Sequence, residues 1–520
     1  MTDIEQSAIA DAQARRDAQA LAGFGYPQEL NRSLSFWTNW AVGFAFISPV
    51  VGLYTIIGFG TMTAGPPWIW TLPVVLLGQI LVVLVFGELA AEFPIAGGIY
   101  QWTRRLVGPT FAWFAGWGYL WTLMLLLTAN VFFGGQFLAA LFGATPGTDE
   151  KILWALAILA FTTTVNAVGL SPLKYVVNAG ITAELIASVT VGLLLVLFFR
   201  KHSPSSLFDT FATGDAFKQS PLAGGIGSYG AAFFASMAFT GWAFVGFDAC
   251  GTISEETRDP TRRVPRAMLL SLVLVAAVIF VSAVGIELAI PSQRSVVSGS
   301  VADPVIVAVT NAFGAGLEKP FLAVVVVAFL AAGITVQATA ARVAFSFARD
   351  GMLPASRVIR RVSRRNRVPF AATLVTGVIA SLGLFFSKAQ PTLIAFGAGG
   401  YYIAFFLVCA AALYARLNGR WKPSGTFRLG RFGTPVNVAA VVWLAVEGLN
   451  IAWPRLKNVA WYERWATPFV AACLFVVGVL YVCVTRPQRR AAQSTALGDL
   501  GHPELTATAS QPNVQEARSA

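Results

Sequence analysis

Only two histidines, His202 and His502, and four cysteines, Cys250, Cys409, Cys473 and Cys483, occur in the 520 residues. The histidines fall in polar loop or tail segments. The cysteines fall inside apolar runs, with no spacing suited to a disulfide framework or a metal site. Zinc chemistry and histidine-based catalysis are therefore poorly supplied, and no metal is expected. Charge is scarce as well: 12% of the chain is charged and 56% hydrophobic. A mean hydropathy of +0.66 excludes an ordinary soluble globular domain. A nucleotide-binding glycine loop is missing too, and no serine is placed with a histidine or aspartate for hydrolysis within the membrane. An enzyme is not expected.

Apolar runs are what the chain has in plenty. Twelve are long enough to cross a bilayer, at roughly 20 residues each for a helix. Their cores are residues 39–61, 68–92, 109–142, 152–169, 174–199, 228–251, 265–290, 321–349, 369–387, 393–416, 435–453 and 468–485. The fold expected is an all-α membrane protein of about twelve transmembrane helices.

The formal charge of +12 could point to nucleic acid, but its placement argues against that. Arg104 and Arg105, then Arg258, Arg262, Arg263 and Arg266, then residues 349–367, 416–431 and finally Arg486, Arg489 and Arg490 occupy alternate loops. The opposite loops hold a sparser set, Lys151, Lys201, Arg294, Lys388 and Lys457. Positive charge collects on the cytoplasmic side, so both termini are expected there, in a multi-pass protein of the cell membrane. No signal-peptide pattern opens the chain, and residues 1–38 read as a cytoplasmic tail. A short amphipathic stretch near residues 30–37 would lie on the membrane, or alternatively act as a gate latch. The segment 487–520 reads as a disordered tail.

Two apolar runs are interrupted. In the first, Ile47-Ser48-Pro49-Val50-Val51-Gly52 places a proline and a glycine three residues apart, where lipid offers no substitute for a lost backbone bond. Such a break survives only where protein or a polar cavity satisfies the freed groups. In the sixth run, Thr240-Gly241-Trp242-Ala243-Phe244-Val245-Gly246-Phe247-Asp248 adds two glycines and an acid. Glu184, about ten residues into the fifth run, should face the bundle interior, where a partner or cavity makes it a candidate proton carrier. Trp113, Trp117, Tyr119 and Trp121 of the third run read as belt or lipid-facing aromatics. The last two runs are assigned to packing or oligomer contact.

Several motifs carry a resemblance. Glu88 and Glu92 precede Phe93-Pro94-Ile95-Ala96-Gly97-Gly98; Gly246-Phe247-Asp248 is followed by Ser254-Glu255-Glu256-Thr257; Phe24-Gly25-Tyr26-Pro27 lies upstream and Ala348-Arg349-Asp350-Gly351-Met352-Leu353-Pro354 downstream. In this order they resemble the amino acid, polyamine and organocation permease superfamily, in its branch for amino acids, choline and 4-aminobutyrate, over about residues 24–485. In some proton-coupled members the position matching Glu184 holds a lysine, from which this chain departs.

Breaks five helices apart are what a five-plus-five inverted repeat requires, the half-helices meeting at the bilayer midplane. The expected organisation is a first repeat over 39–200, a second over 228–416 and two further helices over 433–486. Half-helix amides suit a carboxylate and freed carbonyls an ammonium. The resemblance implies that the backbone around Ser48, Val50, Val51 and Gly52 holds a substrate carboxylate. Trp242, Ala243, Phe244 and Gly246 would receive the amine and side chain, with Trp242 as a lid. Glu184, Asp248 and Arg342 are the gating or coupling candidates, Asp248 pairing with Arg342 or another arginine. What this implies is a secondary transporter of amino acids or related amines working by alternating access, with proton or sodium coupling and no other cofactor. Choline, 4-aminobutyrate or polyamine transport or exchange is the alternative within the fold, and a channel is the alternative outside it.

Overall fold

Pro49 has no amide hydrogen, so a helix entering the first apolar run cannot bond through it to the carbonyl four residues earlier. The computed structural model, which describes residues 3–144, 148–211, 228–301, 303–385, 390–454 and 460–488, divides the run at that point into Phe36–Ile47 and Pro49–Ala64. Ser48 is the joint, at φ 47° and ψ 107°. The second span, Thr71–Glu92, is followed by a short, largely buried helix, Gly98–Leu106, and the long third span, Pro109–Leu141. The fourth span is Thr148–Val168. The fifth runs from Leu170–Leu185 through one π turn, Ile186–Thr190, into Val191–Phe198.

The sixth span is broken more thoroughly than the first. Tyr229–Thr240 gives way to the 3-10 turn Gly241–Phe244, an extended Val245 and Gly246 at φ 107°, and resumes for a single turn in Ala249–Thr252. Gly246 is needed for two reasons. Its φ is left-handed, and an added Cβ would fall 2.1 Å from Phe46 Cδ1. The chain continues with the seventh span, Pro260–Ala289, the eighth, Glu318–Arg349, the ninth, Phe370–Leu384, the tenth, Gln390–Leu417, the eleventh, Gly433–Ala452, and the twelfth, Ala466–Thr485.

Among the described residues the elements are helices, apart from one isolated parallel bridge between Leu34 and Thr257. Eleven helices among the described residues are long and apolar enough to cross a membrane, counting the broken first and sixth as one each. The expected ninth span is shorter than the rest, at 15 residues. It ends just before residues 386–389, which lie outside the described residues, as does the expected disordered tail from 489 onward.

Lipid removes the hydrophobic drive for helices to associate, so close packing of small residues must take its place. The eighth span shows this, with Ala331, Ala338, Ala341 and Ala344 among its buried positions. It packs along the third span, where Phe347 and Phe329 of the eighth sit over Gly116 and Gly134 of the third. These two spans, of 32 and 33 residues, form the centre of the bundle. The twelfth span is the least enclosed and holds to the third through Trp113, stacked on Tyr481, and Trp117, whose indole N–H donates to Leu474 O at 3.0 Å. Trp113 is fully buried between helices rather than belt or lipid-facing, and Trp117 packs beside it.

Within the 30–37 stretch the two leucines pack on protein, while Trp37 is exposed. Leu30 and Leu34 are buried, and Leu34 is bonded on both sides to the sixth-span end: its amide donates to Glu256 O at 2.9 Å, and Arg258 N donates to Leu34 O at 3.0 Å. The amphipathic pattern that suggested a membrane surface belongs to a segment laid across the arginine-rich end of the bundle.

Candidate functional site at the two helix breaks

Ser48 serves both half-helices of the first span. Its amide donates to Phe44 O at 2.8 Å and closes the first half, while its carbonyl accepts from Gly52 N at 2.8 Å and starts the second. The hydroxyl accepts from Val51 N at 3.2 Å as an N-cap and donates to Glu184 Oε1 at 2.5 Å. Pro49 supplies no donor, so the Ala45 carbonyl loses its helical partner. The amides of Val51 and Gly52 are engaged, and of the expected donors Val50 stands in the first turn, at the positive end of the half-helix dipole.

The two breaks touch. Gly52 faces Ala243, where an added Cβ would lie 3.5 Å from Ala243 Cα, and Gly246 lies against Phe46. Ser48, Val50, Ala243 and Phe244 have no exposed surface. Trp242 is half-buried with its ring against Gly397 of the tenth span. Glu184 is brought to the first break as its position in the sequence suggested, fully buried with Oε2 unpartnered among the described residues. The π turn that begins two residues later is a backbone irregularity of the kind that accompanies functional sites.

Asp248 and Arg342 do not pair with each other. Asp248 accepts from the Tyr119 hydroxyl and keeps Oδ1 unpartnered among the described residues. Arg342 makes a bidentate pair with Glu256, Nε to Oε1 at 2.7 Å and Nη2 to Oε2 at 3.0 Å, with both side chains buried. The reason is geometric: the sixth span unwinds over eight residues, which turns Asp248 toward the third span and delivers Glu256 to the eighth.

Around that pair the arginine-rich end is closed by further buried charge. Arg349 reaches Glu255 at 3.1 Å and covers the Tyr26 ring at 3.9 Å. Asp350 accepts from the hydroxyls of Tyr26 and Tyr100, each at 2.8 Å, and from Arg104 at 2.5 Å. Burial, and then the charge of Asp350, push the Tyr26 phenol above its ordinary range and keep it a donor. Arg32 Nε and Gln28 Nε2 both donate to Glu255 O, and Asp17 of the tail helix, Asp3–Gly23, accepts from Asp259 N at 3.0 Å. Glu88 pairs with Arg416, joining the second and tenth spans.

The profile of the family described as amino acid permease matches residues 34–489. The chain belongs to the amino acid permease family. Its relatives include the amino-acid permease BAT1 of Arabidopsis thaliana, 26% identical with 89% of this chain and 93% of the relative covered. The BAT1 homolog of Oryza sativa subsp. japonica is 25% identical over 88% and 91%. The low-affinity putrescine importer PlaP of Escherichia coli is also 25% identical, over 71% and 78%.

Three residues of this permease's buried polar system escaped the sequence reading. Tyr119, taken for a belt or lipid-facing aromatic, is the partner of Asp248, and nothing local to it signals that. Asp350 was quoted only as part of a loop motif. Glu287, fully buried in the seventh span, was legible by the rule that singled out Glu184, since it is an ionisable residue inside an apolar run.

Proposed function

We propose that this permease carries amino acids or related amines across the cell membrane by alternating access, with the substrate held between the first and sixth breaks. The observation that carries this reading is the contact of the two breaks, Gly52 on Ala243 and Phe46 on Gly246, with Glu184 bonded to the joint. The Val50 amide and the positive end of Pro49–Ala64 suit a substrate carboxylate, and the Ala45 carbonyl suits its ammonium. The arginine-rich end is assigned to the cytoplasm by the positive-inside rule, so the network of Glu256, Arg342, Glu255, Arg349 and Asp350 is the inner gate and the tail segment its clamp. Closed there and buried at the breaks, the chain is in an occluded arrangement.

Glu184 is the proton carrier in this reading. Its bond to Ser48 couples its protonation to the helix joint: an ionised carboxylate accepts from Ser48, whereas a protonated one can itself donate. Carriage by Glu184 predicts that Glu184→Gln, which keeps an acceptor for Ser48, loses accumulation driven by a pH gradient while retaining exchange. Full pH-driven accumulation in reconstituted Glu184→Gln protein would remove that role.

A second reading is favoured by the two buried acids, Glu184 and Asp248, one at each break and each with an unpartnered oxygen among the described residues. They suit a substrate with ammonium groups and no carboxylate, and the putrescine importer among the relatives points the same way. Counterflow in liposomes separates the cases. Labelled amino acid that enters against unlabelled, saturably and chemically unchanged, supports the first reading; exchange confined to diamines supports the second. Product formation or unsaturable flux contradicts both.

A further inference from the structure

Glu287 belongs to neither break, yet it is fully buried two residues before the end of the seventh span. The Thr61 hydroxyl donates to its Oε2 at 3.0 Å and the Trp68 indole N–H to the same oxygen at 3.3 Å. Its Oε1 has no partner among the described residues. Neutral donors alone hold this carboxyl, and an ionisable residue at membrane depth is a functional candidate by default.

Both donors lead to the broken helices. Thr61 lies in the last turn of Pro49–Ala64, the half-helix whose other end reaches Glu184 through Ser48. This rod is therefore tethered at each end by a hydroxyl bonded to a buried carboxyl. Trp68 extends the tether: its carbonyl accepts from the Thr71 hydroxyl at 2.6 Å, and that hydroxyl lies 2.6 Å from the hydroxyl of Thr240, the last residue of Tyr229–Thr240. Its ring also closes over Gly60, where an added Cβ would fall 2.5 Å away. The seventh-span end is itself fixed, because Gln293 Nε2 donates to Glu287 O at 3.0 Å and the amides of Lys201 and His202 donate to Leu288 O at 2.8 and 3.1 Å. One anchored carboxyl thus gathers the outer halves of both broken spans.

We propose that Glu287 is the positioning residue of the outer gate, holding the outer halves of the first and sixth spans together through Thr61 and Trp68 while that gate is shut. The bonds must break each time the gate opens outward. This inference rests on the alternating-access reading.

The test is a comparison of KM from the two faces in oriented proteoliposomes, with a transported amino acid or diamine as probe. Thr61→Val keeps the shape and loses a donor; Glu287→Leu loses both bonds. Either change biases the carrier toward the outward-open state, so KM falls several-fold at the outer face, rises several-fold at the cytoplasmic face, and kcat falls. Glu287→Gln retains an oxygen that accepts from both donors and returns both KM values toward the wild-type ones. Unchanged KM at both faces in Thr61→Val and Glu287→Leu, with loss only of thermal stability, would overturn the proposal. If Glu287→Leu does not fold, Thr61→Val decides. Saturable exchange by the wild-type protein is read in the same vesicles, so failure of the gate proposal is distinguishable from failure of the carrier reading.

Discussion

Ser48 sits mid-way along the first apolar span with a backbone conformation that non-glycine residues rarely adopt, a strain of roughly 1–3 kcal/mol. Five other non-glycine residues among those described have positive φ, and none lies between two half-helices. The strain is offset by what the residue does there: it caps one half-helix, closes the other and binds Glu184. Ser48→Ala removes both the cap and the carboxyl's donor, and is expected to lower stability by about 1–3 kcal/mol, read as the thermal midpoint of purified protein. At the second break the constraint is steric. Gly246→Ala drives a methyl group into Phe46 at a left-handed position, and a loss of at least about 1–3 kcal/mol is expected in the same assay. A midpoint equal to the wild-type value would contradict the packing of the two breaks.

At the scale of elements, the spans and their interruptions were legible because each is a local fact: a run of apolar residues, a proline without an amide hydrogen, two glycines beside an acid. Glu184 was legible for the same reason. What the sequence hid was partnership. Asp248 gave no sign that it faces Tyr119, since that depends on how far the sixth span unwinds, and Arg342 gave no sign of its choice between two acids eight residues apart. Leu30 and Leu34 pack on protein, a choice hidden in the sequence because burial against membrane and burial against protein leave the same apolar pattern. Arg342→Ala leaves Glu256 buried without its cation and is expected to cost about 3–5 kcal/mol, checked by thermal unfolding. The double variant Arg342→Met with Glu256→Leu should recover much of that loss, because an apolar pair carries no unpaired charge.

The whole molecule is a helical bundle with buried ion pairs at its arginine-rich end, a buried carboxyl held by neutral donors toward the other, and two helix breaks in contact between them. Its arginines mark one face and its family membership agrees with the motifs that first suggested it, so fold and transport class were readable from sequence; the polar networks at the two ends were not, because each is built from residues on four or more segments. The central claim is that the breaks form one substrate site, and Gly52 tests it most directly, since its missing side chain leaves the first break flush with Ala243 and Ile279. The measurement is equilibrium binding of a transported substrate to purified Gly52→Leu protein beside the wild type. Binding lost at least tenfold in a variant that still unfolds cooperatively is the result predicted, and an unchanged Kd would contradict the account.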